Sequence, residues 1–131
     1  MAEDNLPDAL LVREAIKMEK LFVDVHTVTD GEQAINFVVR SENDAAAPCP
    51  DLLVLDLNLP RRDGFEVLRH VRTSEKFRNI PVLIVTSSDA PTDRVQAQSL
   101  GARYFRKPAS YEDFLKIGPA LRQILTDNGL L

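Results

Sequence analysis

The chain has 131 residues, 27% of them charged and 44% hydrophobic, with a net charge of −4. That length suits one domain able to bury roughly two thirds of its unfolded surface, and the acid excess argues against a nucleic-acid binder, whose footprint is basic. Cys49 is the only cysteine, so no internal disulfide forms, as suits a reducing cytoplasm; no signal peptide is visible, and no apolar run approaches the about twenty residues of a membrane helix.

Taken in chain order, Glu3-Asp4-Asn5 places two consecutive acids before a helical pattern, with Asn5 as its cap. The helix is expected over residues 7–20, with Leu10, Leu11, Ala15, Ile16 and Met18 on its period. Phe22, Val23, Val25 and Val28 predict a strand, residues 34–40 a helix, and residues 41–50 a polar loop with Ala and Pro. Leu52-Leu53-Val54-Leu55 is a continuous apolar run, the mark of a parallel strand covered on both faces. It ends at Asp56, followed by Asn58 and Pro60.

A helix over 64–73 follows, with Phe65, Leu68 and Val71 on one face, then a second buried strand, Val82 to Val85, ending in Thr86-Ser87-Ser88. Residues 91–100 read as a helix with a thin apolar face of Val95, Ala97 and Leu100. Tyr104-Phe105 is a short strand running into Lys107-Pro108. One closing helix is expected over 110–125, capped by Ser110, with Phe114, Leu115, Leu121 and Leu125 inward. Residues 1–125 then form one domain and 126–131 a tail. Such alternation predicts a doubly wound α/β sheet.

In open α/β sheets, ligands bind in the crevice outside the carboxyl ends of the strands. Asp56 is aimed there, although by itself it reads equally as a turn aspartate before Pro60. Its company separates the readings: acids from Glu3-Asp4, hydroxyls from Thr86-Ser87-Ser88 and an ammonium from Lys107 reach the same edge. That set suits phosphoryl chemistry, in which magnesium takes carboxylate and carbonyl oxygens, lysine is a point-charge phosphate ligand, and a carboxylate can be the nucleophile. His26 and His70 show no metal-ligand spacing, and Asp51 and Asp63 read as turn residues.

With Glu3-Asp4-Asn5, Asp30-Gly31-Glu32-Gln33-Ala34, Pro50-Asp51-Leu52, Asp56-Leu57-Asn58-Leu59-Pro60, Asp63-Gly64, Pro81-Val82, Thr86, Gly101-Ala102 and Lys107-Pro108 in this order, the chain resembles a response-regulator receiver domain of two-component signalling from Glu3 to about Leu125. Asn58-Leu59-Pro60 and the segment before the Asp56 strand resemble the stand-alone receivers that partner bacterial phytochrome kinases. The resemblance implies a flavodoxin-like parallel sheet of order 2-1-3-4-5. It implies Asp56 as phospho-acceptor and Asp4 as direct magnesium ligand, with Glu3 acting through water, Asp56 itself, and Asn58 through its carbonyl. Thr86 and Lys107 would meet the phosphoryl group, and Tyr104 would be the aromatic that turns inward on activation.

Read without the resemblance, Lys107 is an ordinary solvated lysine, Thr86 a strand-end cap and Tyr104 plain core. The implied partners are a sensor histidine kinase or phosphotransfer protein and a separate downstream protein or a second copy of the chain, with no nucleic acid and no membrane. With no effector domain after Leu131, the chain is expected to signal in the cytoplasm and not to be an enzyme in the ordinary sense. Two alternatives remain: a receiver serving as adaptor or phosphate sink, and an aspartyl-nucleophile phosphatase of the haloacid-dehalogenase kind. The latter expects a second acid where Asn58 stands.

One departure from the family pattern is large. Receivers carry an apolar strand of about five residues before the acid pair, in the middle of the sheet, whereas only Met1 and Ala2 precede Glu3 here. Burying each aliphatic side chain contributes about 1.5 to 3 kcal/mol, so a monomer without that strand is expected to be marginal. The first strand is thus read as missing or truncated: the chain starts inside a longer product, another segment or chain fills the gap, or the sheet closes up. The first is expected, because Ala2-Glu3-Asp4-Asn5 reads as the interior of a longer strand-to-helix junction, and Glu3 and Asp4 then lack the strand that aims them.

Overall fold

Four polar side chains begin four helices by accepting the N–H three residues on: Asn5 from Asp8 (3.1 Å), Asp30 from Gln33 (2.7 Å), Asp63 from Glu66 (3.0 Å) and Ser110 from Asp113 (3.1 Å). In the computed structural model, which covers residues 1–131, these start α1 (Leu6–Met18), α2 (Gly31–Asn43), α3 (Gly64–Thr73) and α5 (Tyr111–Phe114). Pro91 opens α4 (Pro91–Ser99), where its missing N–H costs nothing. The last helix, α6, spans Ile117–Asp127. The single helix expected over 110–125 is therefore two. Pro119 has no N–H for the Leu115 carbonyl and its ring would collide with it in a continuous helix, so the helix restarts with Pro119 in a first turn.

Three strands pair in parallel in the order β1 (Leu53–Leu55), β2 (Val82–Thr86) and β3 (Arg103–Arg106). Leu55 stands opposite Ile84, and Ile84 opposite Tyr104. Beyond β1, Ala2 makes parallel bridges to both Leu55 and Val28. The spatial order is thus residue 28, residue 2, β1, β2, β3: the doubly wound order 2-1-3-4-5, with its first two strands reduced to single-residue bridges. Alternate strand residues feed opposite layers. Leu55, Val82 and Ile84 join Val67, Leu68 and Val71 on the side of α2 and α3. Val54, Leu83 and Val85 join Val12, Phe114, Leu121 and Ile124 on the side of α1 and α6.

The chain start is tied down despite its brevity. The Ala2 N–H donates to the Val54 carbonyl (2.8 Å), the Glu3 N–H to the Val28 carbonyl (3.0 Å), and the Asp56 N–H to the Ala2 carbonyl (3.0 Å). Three residues therefore suffice to aim Glu3. The sheet does not close over the rest of the gap: a cavity of about 540 Å³ runs between residues 21–28 and 52–54, lined by Val25, Val28, Leu52, Val54, Phe77 and Leu121 among others. At its inner end the Met1 ammonium donates to the His26 carbonyl (2.7 Å). Burial, reinforced by the charge of Arg13, pushes its pKa down to about 6.

Several expectations need correction. Residues 22–27 form no strand, and Phe22 is 97% exposed: the parallel bridge to Ala2 reaches only Val28, and no strand pairs with the residues before it. On α1, Leu10 and Met18 face solvent while Ala9, Val12 and Ala15 are buried. The reason is a close helix crossing: a Cβ on Gly118 of α6 would lie 2.9 Å from the Ala15 carbonyl oxygen, so small residues turn inward there. On α4, Val95 is exposed, leaving Ala97 as the buried residue.

Candidate functional site

Asp56 leaves β1 at the carboxyl edge of the sheet and is nearly buried. Its Oδ1 accepts the Asn58 N–H (3.2 Å), and its Oδ2 accepts from Lys107 Nζ (3.0 Å). Lys107 reaches it from the end of β3, where its own N–H donates to the Thr86 carbonyl (2.7 Å). Glu3, 4% exposed, places Oε1 2.7 Å from the same ammonium, while its Oε2 accepts the Asn5 N–H (3.2 Å). The loop after β1 is held tightly as well: a Cβ at Gly64 would lie 2.3 Å from the Asp56 carbonyl oxygen, so glycine permits α3 to start against the Asp56 backbone.

The sequence-predicted residues converge as follows. Glu3, Asp4 and Asp56 bring carboxylate oxygens within 4.8 Å of one another. Asn58 stands beside Asp56 through its N–H. Thr86 ends β2 fully buried, its Oγ1 accepting the Ser88 N–H (3.3 Å). Tyr104 is half-buried, its hydroxyl donating to the Ser88 carbonyl (2.8 Å), with the Arg94 guanidinium 4.5 Å above its ring. His70 lies 3.5 Å from Glu42, and His26 against Phe37, both away from this cluster.

One residue was not anticipated. Asp8 Oδ2 lies 2.9 Å from Lys107 Nζ, so three carboxylates share one ammonium. Its position three after Asn5 reads in sequence as a helix-cap partner, which it also is. Asp4 lies before the cap of α1, outside the helix, so helical spacing did not relate the two acids.

Burial pushes the Glu3 carboxyl up to about 7; the neighbouring Asp56 adds to the rise and Lys107 opposes it. Burial also pulls Lys107 down, but hydrogen bonds to Glu3, Asp8 and Asp56, with the charge of Asp56, outweigh it and raise its pKa above the usual lysine value. Two opposite pH arms follow. The stability linked to Glu3 is full below its ordinary 4.5 and lost as pH rises through about 7. That linked to the Met1 amine is full above 8.0 and lost as pH falls through about 6. Without divalent ions, urea midpoints are expected to pass through a minimum between pH 6 and 7. Acetylating the amino terminus should remove the rising alkaline arm; a profile lacking a minimum contradicts the assignment.

Three convergent carboxylates are hard oxygen donors of the kind that hold magnesium- or manganese-class ions. Asp4, the exposed member, keeps the site open to solvent, as suits an ion that retains waters. The donor set thus fits a divalent ion, with Glu3, Asp4 and Asp56 as the residues that can hold it.

The family model of the response regulator receiver domain matches residues 1–117. Response regulator Rcp1 of Synechocystis sp. is 30% identical over 118 residues, 89% of this chain and 80% of that protein. Among solved structures, the phosphorylated cyanobacterial phytochrome response regulator RcpA superposes with a TM-score of 0.83 at 32% identity, covering 93% of this chain and 88% of that one. The Mn(2+)-bound form of Rcp1 gives 0.84 at 29% identity, with the same coverage. No helix is long and apolar enough to cross a membrane. With a match over most of its length and the receiver's sheet order reproduced, this chain belongs to the response regulator receiver family and resembles the phytochrome-partner regulators within it.

Proposed function

We propose that the chain accepts a phosphoryl group on Asp56 from the phosphohistidine of a phytochrome-class sensor kinase or a phosphotransfer protein, in the cytoplasm, with residues 1–125 as the receiver unit. The observation carrying this reading is the Asp56 carboxylate, nearly buried yet within 3.0 Å of Lys107 Nζ and within a three-carboxylate cluster. Asp4, Asp56 and the Asn58 carbonyl, with Glu3 through water, would hold a magnesium ion, which would supply positive charge against the phosphoryl oxygens.

An Asp56 oxygen attacks phosphorus in line as the P–N bond to imidazole breaks, the bonding pair leaving with the ring nitrogen, which takes a proton from solvent. The product is an acyl phosphate. Lys107 follows the new charge from the carboxylate to a phosphoryl oxygen, and the Thr86 hydroxyl gives up its role as acceptor for the Ser88 N–H and donates to another. Water later attacks the phosphorus, the P–O bond to Asp56 breaks, and carboxylate and inorganic phosphate are released. Thr86 and Tyr104 both bind Ser88, so a moving Thr86 hydroxyl reaches Tyr104 and the start of α4 through one residue. The altered surface of Tyr104, α4 and α5 is read by a separate protein or by a second copy.

The test is radiolabelled phosphate transfer from a competent phosphohistidine donor with magnesium. Wild type should take up about one phosphate per chain and Asp56→Ala none. Equal stoichiometry in the variant would show that another residue is the acceptor.

A further inference from the structure

Lys107 is shared by one more carboxylate than the transfer reaction uses. An ammonium has three donors, and Glu3, Asp8 and Asp56 stand 2.7, 2.9 and 3.0 Å from it. Glu3 and Asp56 belong to the convergent trio, so a bound cation offsets their charge, but Asp8 lies outside that trio. We propose that Asp8 is a positioning residue acting through Lys107: it holds one donor of the ammonium and tempers the pocket's affinity for the phosphoryl group. The inference rests on Asp56 being the phospho-acceptor.

The sign of the effect depends on whether Lys107 needs Asp8 to stay in place, and the structure supplies other anchors. The Lys107 N–H is tied to the Thr86 carbonyl at 2.7 Å, its Nζ makes its shortest contact with Glu3 rather than Asp8, and Pro108 restricts the backbone of Lys107 before it. Removing the Asp8 charge therefore leaves the ammonium in reach of Asp56 and takes one negative charge from beside an anion site. The side chains are 11% and 23% exposed, so the pair is screened less than a surface pair. Asp8 also sits in the first turn of α1, where an acid favours the helix dipole. That second role affects folding and leaves anion affinity alone.

Fluoroberyllate, a tetrahedral stand-in for a phosphoryl group on a carboxylate, separates the two roles when titrated calorimetrically at saturating magnesium. Asp8→Asn is expected to bind it roughly three- to tenfold more tightly than wild type at low salt, the gap narrowing in about 1 M salt. Asp8→Glu should return to the wild-type affinity. If Asp8→Asn does not fold, Asp8→Ser removes the same charge and carries the same expectation. Unchanged or weaker binding by a neutral variant with a wild-type unfolding midpoint, or a gap indifferent to salt, overturns the role given to Asp8. Failure of wild type itself to bind, with Asp56→Asn behaving identically, overturns the phospho-acceptor reading as well.

Discussion

Joining four β-branched residues, Val-Ile-Val-Ile, to the Met1 nitrogen is expected to raise the thermal midpoint by about 10 °C or more. The cavity beside Met1 lies between residues 21–28 and 52–54 and is lined mainly by apolar side chains. The ladder that would guide a strand into it is already started, since Met1 and Glu3 donate to the His26 and Val28 carbonyls in the alternate-residue rhythm of a parallel pair. Each aliphatic side chain buried there contributes about 1.5 to 3 kcal/mol, against about 1 to 2 kcal/mol of backbone entropy per residue ordered. Added to this, the ammonium whose pKa burial pulls down to about 6 becomes a neutral amide making the same hydrogen bond. A Gly-Ser-Gly-Ser extension supplies the amide without the apolar surface and should give only a small part of the gain. Amide exchange of residues 23–27 should slow with the apolar extension alone. Equal shifts for both extensions, or no added protection at 23–27, would mean that the cavity does not take a strand.

The unpaired stretch 22–27 also explains what the sequence showed and what it did not. β1 and β2 were legible because a strand covered on both faces is apolar at every position, and Leu53 to Leu55 and Val82 to Val85 carry that pattern whatever lies beside them. Phe22, Val23, Val25 and Val28 carry a strand composition too, but strand formation requires a partner, and composition holds no information on whether one is present. The position of Asp56 and its company was readable because a residue after a buried strand points to one edge of the sheet. Lys107 looked like a solvated lysine in isolation. Its pairing with Asp56 depends on β3 lying beside β2, a tertiary fact that the shared motif order conveyed. Asp8 stayed hidden because its cap position gave it a sufficient local explanation. The break before α6 was legible in principle from Pro119, whose backbone cannot continue a helix begun at Ser110.

Lys107→Met should destabilise the ion-free protein at pH 8 by about 2 to 4 kcal/mol, because breaking a buried pair by removing one partner leaves the others uncompensated. Glu3 and Asp56 are both nearly out of water, and the ammonium is the cation on which they and Asp8 converge. The cost has a built-in limit. Glu3 is already raised to about 7 with the ammonium pulling it down, so without Lys107 its carboxyl rises further and takes a proton in place of the lost cation. The folded pKa stays above the unfolded one, so stability is present at low pH and lost as pH rises through the folded value. The variant's deficit should therefore be smaller at pH 5, where Glu3 is protonated with or without Lys107 and only Asp8 and Asp56 lose their cation, and grow toward pH 8. Magnesium should close the gap at pH 8, two positive charges among Glu3, Asp4 and Asp56 doing what one did before. Urea melts at pH 5 and 8, with and without millimolar magnesium, read all three effects. A deficit independent of pH and magnesium would assign Lys107 a packing role and remove it from the electrostatics of the site. If the deficit follows both, phosphate uptake on Asp56 should fall at least 100-fold even in magnesium, since an ion that restores the fold does not return the ammonium that must follow the phosphoryl group.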